Sequence, residues 1–163
     1  MQVGYSGGFA ESVAQVQALE KAGMDIVYVA EAYGYDAPTL MGYLAAETET
    51  IQIASGILPI YTRTPTLLAM TAAGLDELSG GRAILGLGAS GPQVIEGFHG
   101  VPYDAPIGRT REIIDICRML IAMGAEIEGL GTEKITVNGK PELQDAEHSV
   151  IADRIEAGTF VAA

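Results

Sequence analysis

Ala83-Ile-Leu-Gly-Leu-Gly-Ala-Ser-Gly-Pro-Gln-Val-Ile-Glu-Gly-Phe-His-Gly-Val-Pro-Tyr103 is the stretch on which the fold turns. It opens as a short apolar run, 83–87, of the kind that forms a strand buried on both faces. Gly86-Leu-Gly-Ala-Ser-Gly91 then satisfies G-x-G-x-x-G directly after that strand, the spacing of a dinucleotide fingerprint. Two features weigh against that fingerprint: Pro92 follows at once, and three strand-helix units come first, whereas the fingerprint belongs to the first βα turn of its domain. The better reading is a loop at the C-terminal mouth of a barrel strand. There Gly88, Ala89, Ser90 and Gly91 let the backbone come close to a cofactor, and the Ser90 hydroxyl adds a donor. The connection 88–108 is too long for a plain link, which predicts a short helix near 93–97 and a role in binding.

Upstream, the same alternation recurs. A strand over 2–5 precedes a helix over 10–21 with Val13, Val16 and Leu19 at helical spacing and Gly23 at its end. The apolar strand 26–30 precedes a helix over 38–47, with Pro38 suited to its first turn. The strand 51–56 leads through a loop holding Pro59 and Arg63 into a helix over 65–78. After the quoted stretch, a helix over 109–122 presents Ile113, Ile114, Ile116, Cys117, Leu120 and Ile121 to a core. Buried strands separated by helices imply a parallel sheet. Four βα units make half of a (β/α)8 barrel, and the 163 residues fall short of the roughly 250 of a whole one. The fold class expected is therefore α/β, a partial TIM barrel with a small β-rich appendage at its C-terminal end.

Composition narrows the partners. The chain is 48% hydrophobic and 18% charged, which is globular. Its formal net charge is −12, and both the segment before Met123 and the segment after it are acidic. No basic stripe serves nucleic acid, and no polybasic segment serves an anionic membrane. One cysteine excludes an internal disulfide and a cysteine zinc site. A cytoplasmic protein is expected, and the open edges and uncovered interior of a half barrel predict a homo-oligomer unless the segment after Met123 folds over that surface.

Val3-Gly-Tyr-Ser-Gly7, Val29-Ala-Glu-Ala-Tyr-Gly-Tyr-Asp36, Ser55-Gly-Ile-Leu-Pro-Ile-Tyr-Thr-Arg-Thr-Pro65, Leu78-Ser-Gly-Gly-Arg82 and the run from Gly86 to Tyr103 together resemble the luciferase-like oxidoreductases. The pattern is most similar to the branch that uses coenzyme F420, a deazaflavin hydride carrier; relatives use FMN. The resemblance, over residues 1–122, implies a cofactor at the C-terminal mouth of the barrel. It would be lined by Ser55, Gly56 and Ile57 after the third strand and by Gly88, Ala89, Ser90 and Gly91 after the fourth. It also implies a strained non-proline cis peptide at Ser55-Gly56-Ile57. Many relatives carry an acidic residue followed by histidine after the second strand. Here Ala32 follows Glu31, so Glu31 and Tyr33 are the candidate catalytic residues, Tyr33 as donor or acid or else as a cap on the strand mouth. Arg63 is open to a cofactor phosphate or a surface ion pair, and His99 to a ligand contact or loop packing.

Beyond Met123 the pattern changes to short segments, 126–129 and 134–137, with Asn138-Gly139 offering a tight turn and a further strand near 149–151 before a helix from Asp153. Gly124-Ala-Glu-Ile-Glu-Gly-Leu-Gly-Thr132 and Ala152-Asp-Arg-Ile-Glu-Ala-Gly-Thr-Phe-Val-Ala-Ala163 resemble UDP-N-acetylglucosamine enolpyruvyl transferase. Asp153-Arg154-Ile155-Glu156 matches a motif at the sugar-nucleotide end of that enzyme's site, and equally reads as a helix start capped by Asp153. The chain is thus expected to divide at 122/123 into a luciferase-like half barrel and a transferase-like fragment. The function that the first resemblance implies is hydride transfer between F420 or a flavin and a small-molecule substrate, by a truncated or chimeric enzyme. The alternatives are a noncatalytic folding unit or fusion product, and a UDP-sugar-binding fragment of the transferase.

Overall fold

The computed structural model of the chain describes residues 2–3, 8–122, 126–128, 136–138, 144–145 and 147, with side chains over 8–119, 144–145 and 147. Its centre is a parallel sheet of β1 (Gln2–Val3), β2 (Ile26–Val29), β3 (Gln52–Ser55) and β5 (Ala83–Ile84), hydrogen-bonded in that order. Successive strands are joined by α1 (Phe9–Lys21), α2 (Ala37–Glu47) and α3 (Pro65–Ser79). Strand order that follows chain order, with a helix in each connection, is the wall of a partial (β/α)8 barrel.

Each helix starts where its sequence allows. Asp36 caps α2 by accepting from the Thr39 N–H at 3.1 Å, and Thr64 caps α3 by accepting from the Leu67 N–H at 3.2 Å, each with a proline in the first turn. Helix α3 stops at Gly80, whose φ of 64° is the left-handed conformation that glycine adopts without penalty. Alternation within the strands then sorts side chains. Val27, Val29 and Ile53 join Val16, Leu40, Met41, Leu44 and Leu68 in the core. Each such side chain contributes about 1.5–3 kcal/mol on burial. Tyr28, on the opposite face of β2, remains 43% exposed.

The expected single strand over 83–87 is in fact two short ones. β5 ends at Ile84, and β6 (Leu87–Gly88) pairs in parallel with β4 (Leu58–Pro59). The interruption has a local cause: the Ser55 hydroxyl donates to the Gly86 carbonyl at 2.9 Å and accepts from the Gly86 N–H at 2.7 Å, so a side chain replaces the backbone ladder there. The loop 88–108 contains the expected short helix, α4 (Pro92–Ile95), and α5 (Pro106–Ala122) follows it. On α5, Ile113 and Cys117 are buried, and burial pushes the Cys117 thiol up. Leu120 and Ile121 have side chains outside the described set.

Two charged residues hold the base of the barrel. Arg82 donates to the carbonyls of Ala45, Thr48, Ile51 and Ser79 at 2.8–3.0 Å and to the Thr48 hydroxyl at 2.9 Å, joining the ends of α2 and α3 to the start of β3. Hydrogen bonds from a charged donor contribute about 1.5–3 kcal/mol each, non-additively, so Arg82→Ala is expected to cost about 3 kcal/mol. A fall in the urea midpoint at unchanged m-value would register it. Glu20 reaches from α1 to the turn before β3. Burial alone would raise its carboxyl, but the N–H groups of Thr50, Ile51 and Glu49 and the Thr50 hydroxyl outweigh it and bring the pKa down to about 2. The folded value lies below the unfolded one of about 4.3, so the stabilisation is complete above about pH 5 and is lost as pH falls toward 2. Glu20 is only partly buried, so solvent screening limits the effect to about 1 kcal/mol. Acid unfolding followed by circular dichroism should be shallower over this window in Glu20→Gln.

Beyond α5, β7 (Glu126–Glu128) and β8 (Thr136–Asn138) form an antiparallel pair, with Ile127 opposite Val137. Asn138 thus ends the second strand of this pair. Gly139, and with it the tight turn expected there, lies outside the described residues, as do the strand near 149–151 and the helix from Asp153. β8 lies beside α3 and β5.

Candidate functional site

The C-terminal ends of the strands gather the predicted residues. β3 leaves the main sheet at Ser55. The Gly56 N–H donates to the Val29 carbonyl at 2.6 Å, the chain bulges through Ile57, and the Leu58 N–H resumes pairing by donating to the Gly86 carbonyl at 2.8 Å. All peptide bonds among the described residues are trans, which corrects the expected cis bond. The distortion is carried instead by Ile57 itself, a β-branched residue at φ 144°. Such a residue holds positive φ only where its surroundings enforce it. Ser90, at φ 57°, is a second strained position on the same rim, and its carbonyl accepts from the Tyr103 hydroxyl at 3.2 Å.

The glycines of the motif divide in role. A side chain at Gly86 would place its Cβ 2.3 Å from the Ser55 carbonyl oxygen, so this glycine exists for the contact of β3 with its neighbour. At Gly88 the corresponding atom would meet the tip of the Ile57 side chain at 2.9 Å. The space above Gly88, expected to be open to a cofactor, is filled by Ile57. Below the bulge, a cavity of about 390 Å³ runs along the face of the sheet that bears Tyr28, lined by Ala54, Ser55, Gly56, Ile57 and Gly86 among others. Its size falls within the range of ligand pockets, and its walls are mostly apolar.

Glu31 and Tyr33, the two candidate catalytic residues, are differently placed. Both Glu31 oxygens are engaged: Oε1 accepts from Arg63 Nη1 at 2.5 Å, and Oε2 accepts from Arg63 Nη2 at 2.9 Å and from the Ala37 N–H at 2.7 Å. Arg63 thus forms an ion pair, as one of its two alternatives had it, but in the interior rather than on the surface. The pair is buried, with side-chain exposures of 12% for Arg63 and 8% for Glu31, and the two-pronged geometry matches guanidinium to carboxylate. Tyr33 is 61% exposed, with its ring edge-on to Phe98 at 5.4 Å between centroids. His99 follows, 5.0 Å from Phe98, so its contact is aromatic.

A second aromatic group escaped the sequence reading. Tyr61 stacks on Tyr103 at 5.0 Å, lies under the Arg109 guanidinium at 4.7 Å and donates its hydroxyl to the Asp104 carbonyl at 2.5 Å. Desolvation raises its phenol pKa. This cluster fastens the long loop to the strand-three bulge, and nothing in residue spacing announced it. Among the described residues no group of His, Cys, Asp and Glu is placed to hold a metal ion, and no helix is long and apolar enough to cross a membrane.

The comparisons agree with this architecture. A Mycobacterium tuberculosis protein named a coenzyme F420-dependent oxidoreductase is 44% identical over 136 residues, covering 80% of this chain and 38% of the relative. The UDP-N-acetylglucosamine 1-carboxyvinyltransferase of Rickettsia massiliae is 54% identical over 54 residues, covering 33% of this chain and 13% of the transferase. The chain thus spans well under half the length of these curated relatives, and the shares of it that they match overlap. Among solved structures, the coenzyme F420 dependent tetrahydromethanopterin reductase from Methanopyrus kandleri superposes with a TM-score of 0.67 at 24% identity, covering 86% of this chain and 45% of that one. The FMN-bound oxygenating constituent of 3,6-diketocamphane monooxygenase from Pseudomonas putida superposes at 0.63 and 19% identity, covering 81% and 39%. At these identities the superpositions establish the fold. The sequence pattern of the luciferase-like monooxygenases matches residues 1–155, and with a parallel half-barrel sheet bearing its bulge at the strand-three mouth, the chain belongs to that family.

Proposed function

We propose that the chain is the N-terminal part of an oxidoreductase that exchanges hydride between coenzyme F420 and a small organic molecule. The single observation that carries this reading is the 44% identity, over 136 residues, to a M. tuberculosis protein named a coenzyme F420-dependent oxidoreductase. A deazaflavin or FMN, when bound, supplies the hydride chemistry. Ser55, Gly56 and Ile57 would support it on one side, with Ala89, Ser90 and Gly91 on the other and Gly88 packed behind Ile57. The apolar cavity beneath the bulge fits a flat ring system better than a charged ligand. Tyr33 offers an exposed phenol as hydrogen-bond donor. Glu31, with both oxygens occupied by Arg63 and Ala37, would act by fixing the loop that carries Tyr33. The reading includes a cytoplasmic setting, a boundary at 122/123, a truncated or chimeric origin, and a homo-oligomer that covers the open interior.

Titration of the purified chain into F420 and into FMN, followed by cofactor fluorescence, tests this. Saturable binding of one of them is expected, and no saturable change with either would overturn the proposal. The transferase match favours a second reading, a UDP-sugar-binding fragment. Protection of the segment after Met123 from proteolysis by UDP-N-acetylglucosamine would support it. A chain that binds neither class would be a noncatalytic folding unit.

A further inference from the structure

The two aromatic clusters of the long loop differ in one respect. Tyr61 is 6% exposed and has its hydroxyl bonded and its ring covered on two sides, so it is structural. Tyr33 and Phe98 are 61% and 54% exposed and pack against each other and His99 only by their edges. They come from different strand ends: Tyr33 follows β2, and Phe98 follows β6 and α4.

The backbone behind Phe98 is fixed. The N–H groups of Phe98 and His99 donate to the Val94 carbonyl at 3.2 and 3.1 Å, that of Gly100 to Glu96 at 3.2 Å and that of Val101 to the carbonyl of fully buried Ile95 at 3.1 Å. The Glu96 carboxylate accepts from the Tyr103 N–H at 3.0 Å. An exposed ring on an immobilised backbone loses little entropy when it binds, which is the property of a recognition surface.

We infer that Tyr33, Phe98 and His99 form an aromatic corner that selects a planar, conjugated carbonyl compound as substrate. The inference rests on the oxidoreductase reading for its choice of occupant: a hydride acceptor presents an unsaturated, flat reacting centre. The rings stand at 73° and 70° to one another, so a flat molecule stacked on one ring meets the edge of the next, the two favoured aromatic geometries.

Menadione, a flat quinone, is a suitable probe, with decalone as a saturated ketone of similar size. Calorimetric titration of the full chain without cofactor should show menadione binding. Phe98→Ala and Tyr33→Ala should each weaken it about three- to tenfold, the range expected for aromatic pairs, while Phe98→Tyr retains it and decalone binds more weakly. Both positions are exposed, so circular dichroism should confirm an intact fold. Undetectable menadione binding, unchanged affinity in the alanine variants, or equal affinity for decalone would overturn the inference. Phe98→Ala should still bind F420. Failure of the wild-type chain to bind F420 or FMN would count against the oxidoreductase reading, while the menadione series would still decide the corner.

Discussion

Replacing Arg63 by alanine is expected to destabilise the chain by about 3–5 kcal/mol, the range for stripping one partner from a buried ion pair. The substitution leaves the Glu31 carboxylate, 8% exposed, with the Ala37 N–H alone. Arg63→Lys should recover only part of the loss, because an ammonium cannot engage both carboxylate oxygens as the planar guanidinium does. Replacing both partners by apolar residues, Glu31→Leu with Arg63→Met, should cost far less than either single change, since no charge is left buried. Urea denaturation of these variants checks this. If Arg63→Ala shifts the midpoint no more than a surface substitution, the pair is solvated and Glu31 is free to serve as an acid or base.

The second large effect falls on Gly86. A Cβ there would lie 2.3 Å from the Ser55 carbonyl oxygen, which is backbone and cannot swing aside. Gly86→Ala should therefore force β3 and β5 apart, break both hydrogen bonds to the Ser55 hydroxyl and cost about 3 kcal/mol, at the upper end for overpacking. Gly88→Ala, two residues on, meets only the end of the Ile57 side chain and should cost less than about 1 kcal/mol. Thermal unfolding of the two variants gives the contrast directly. Equal losses would mean that Ile57 is as rigid as the backbone, and the bulge would then be a fixed wall.

What the sequence by itself determined was the order and kind of the elements. Apolar runs at 26–30 and 51–56, proline and Asp or Thr at helix starts, and glycine at helix ends act over a few residues, so local patterning located β2, β3, α2 and α3 within a residue or two. The family was legible too, because its segments keep their spacing along the chain. Only the tertiary structure decided what the mouth residues do. The two glycines look alike in Gly86-Leu-Gly88, yet one is fixed by the carbonyl of Ser55 and the other faces the side chain of Ile57, each contributed from some thirty residues away. The same holds for Glu31, whose partner Arg63 is 32 residues distant, and for Phe98, which meets Tyr33 from another strand end. Charge and ring type are written in the sequence, but pairing and burial follow from which strand ends the sheet brings together, and no local pattern encodes that.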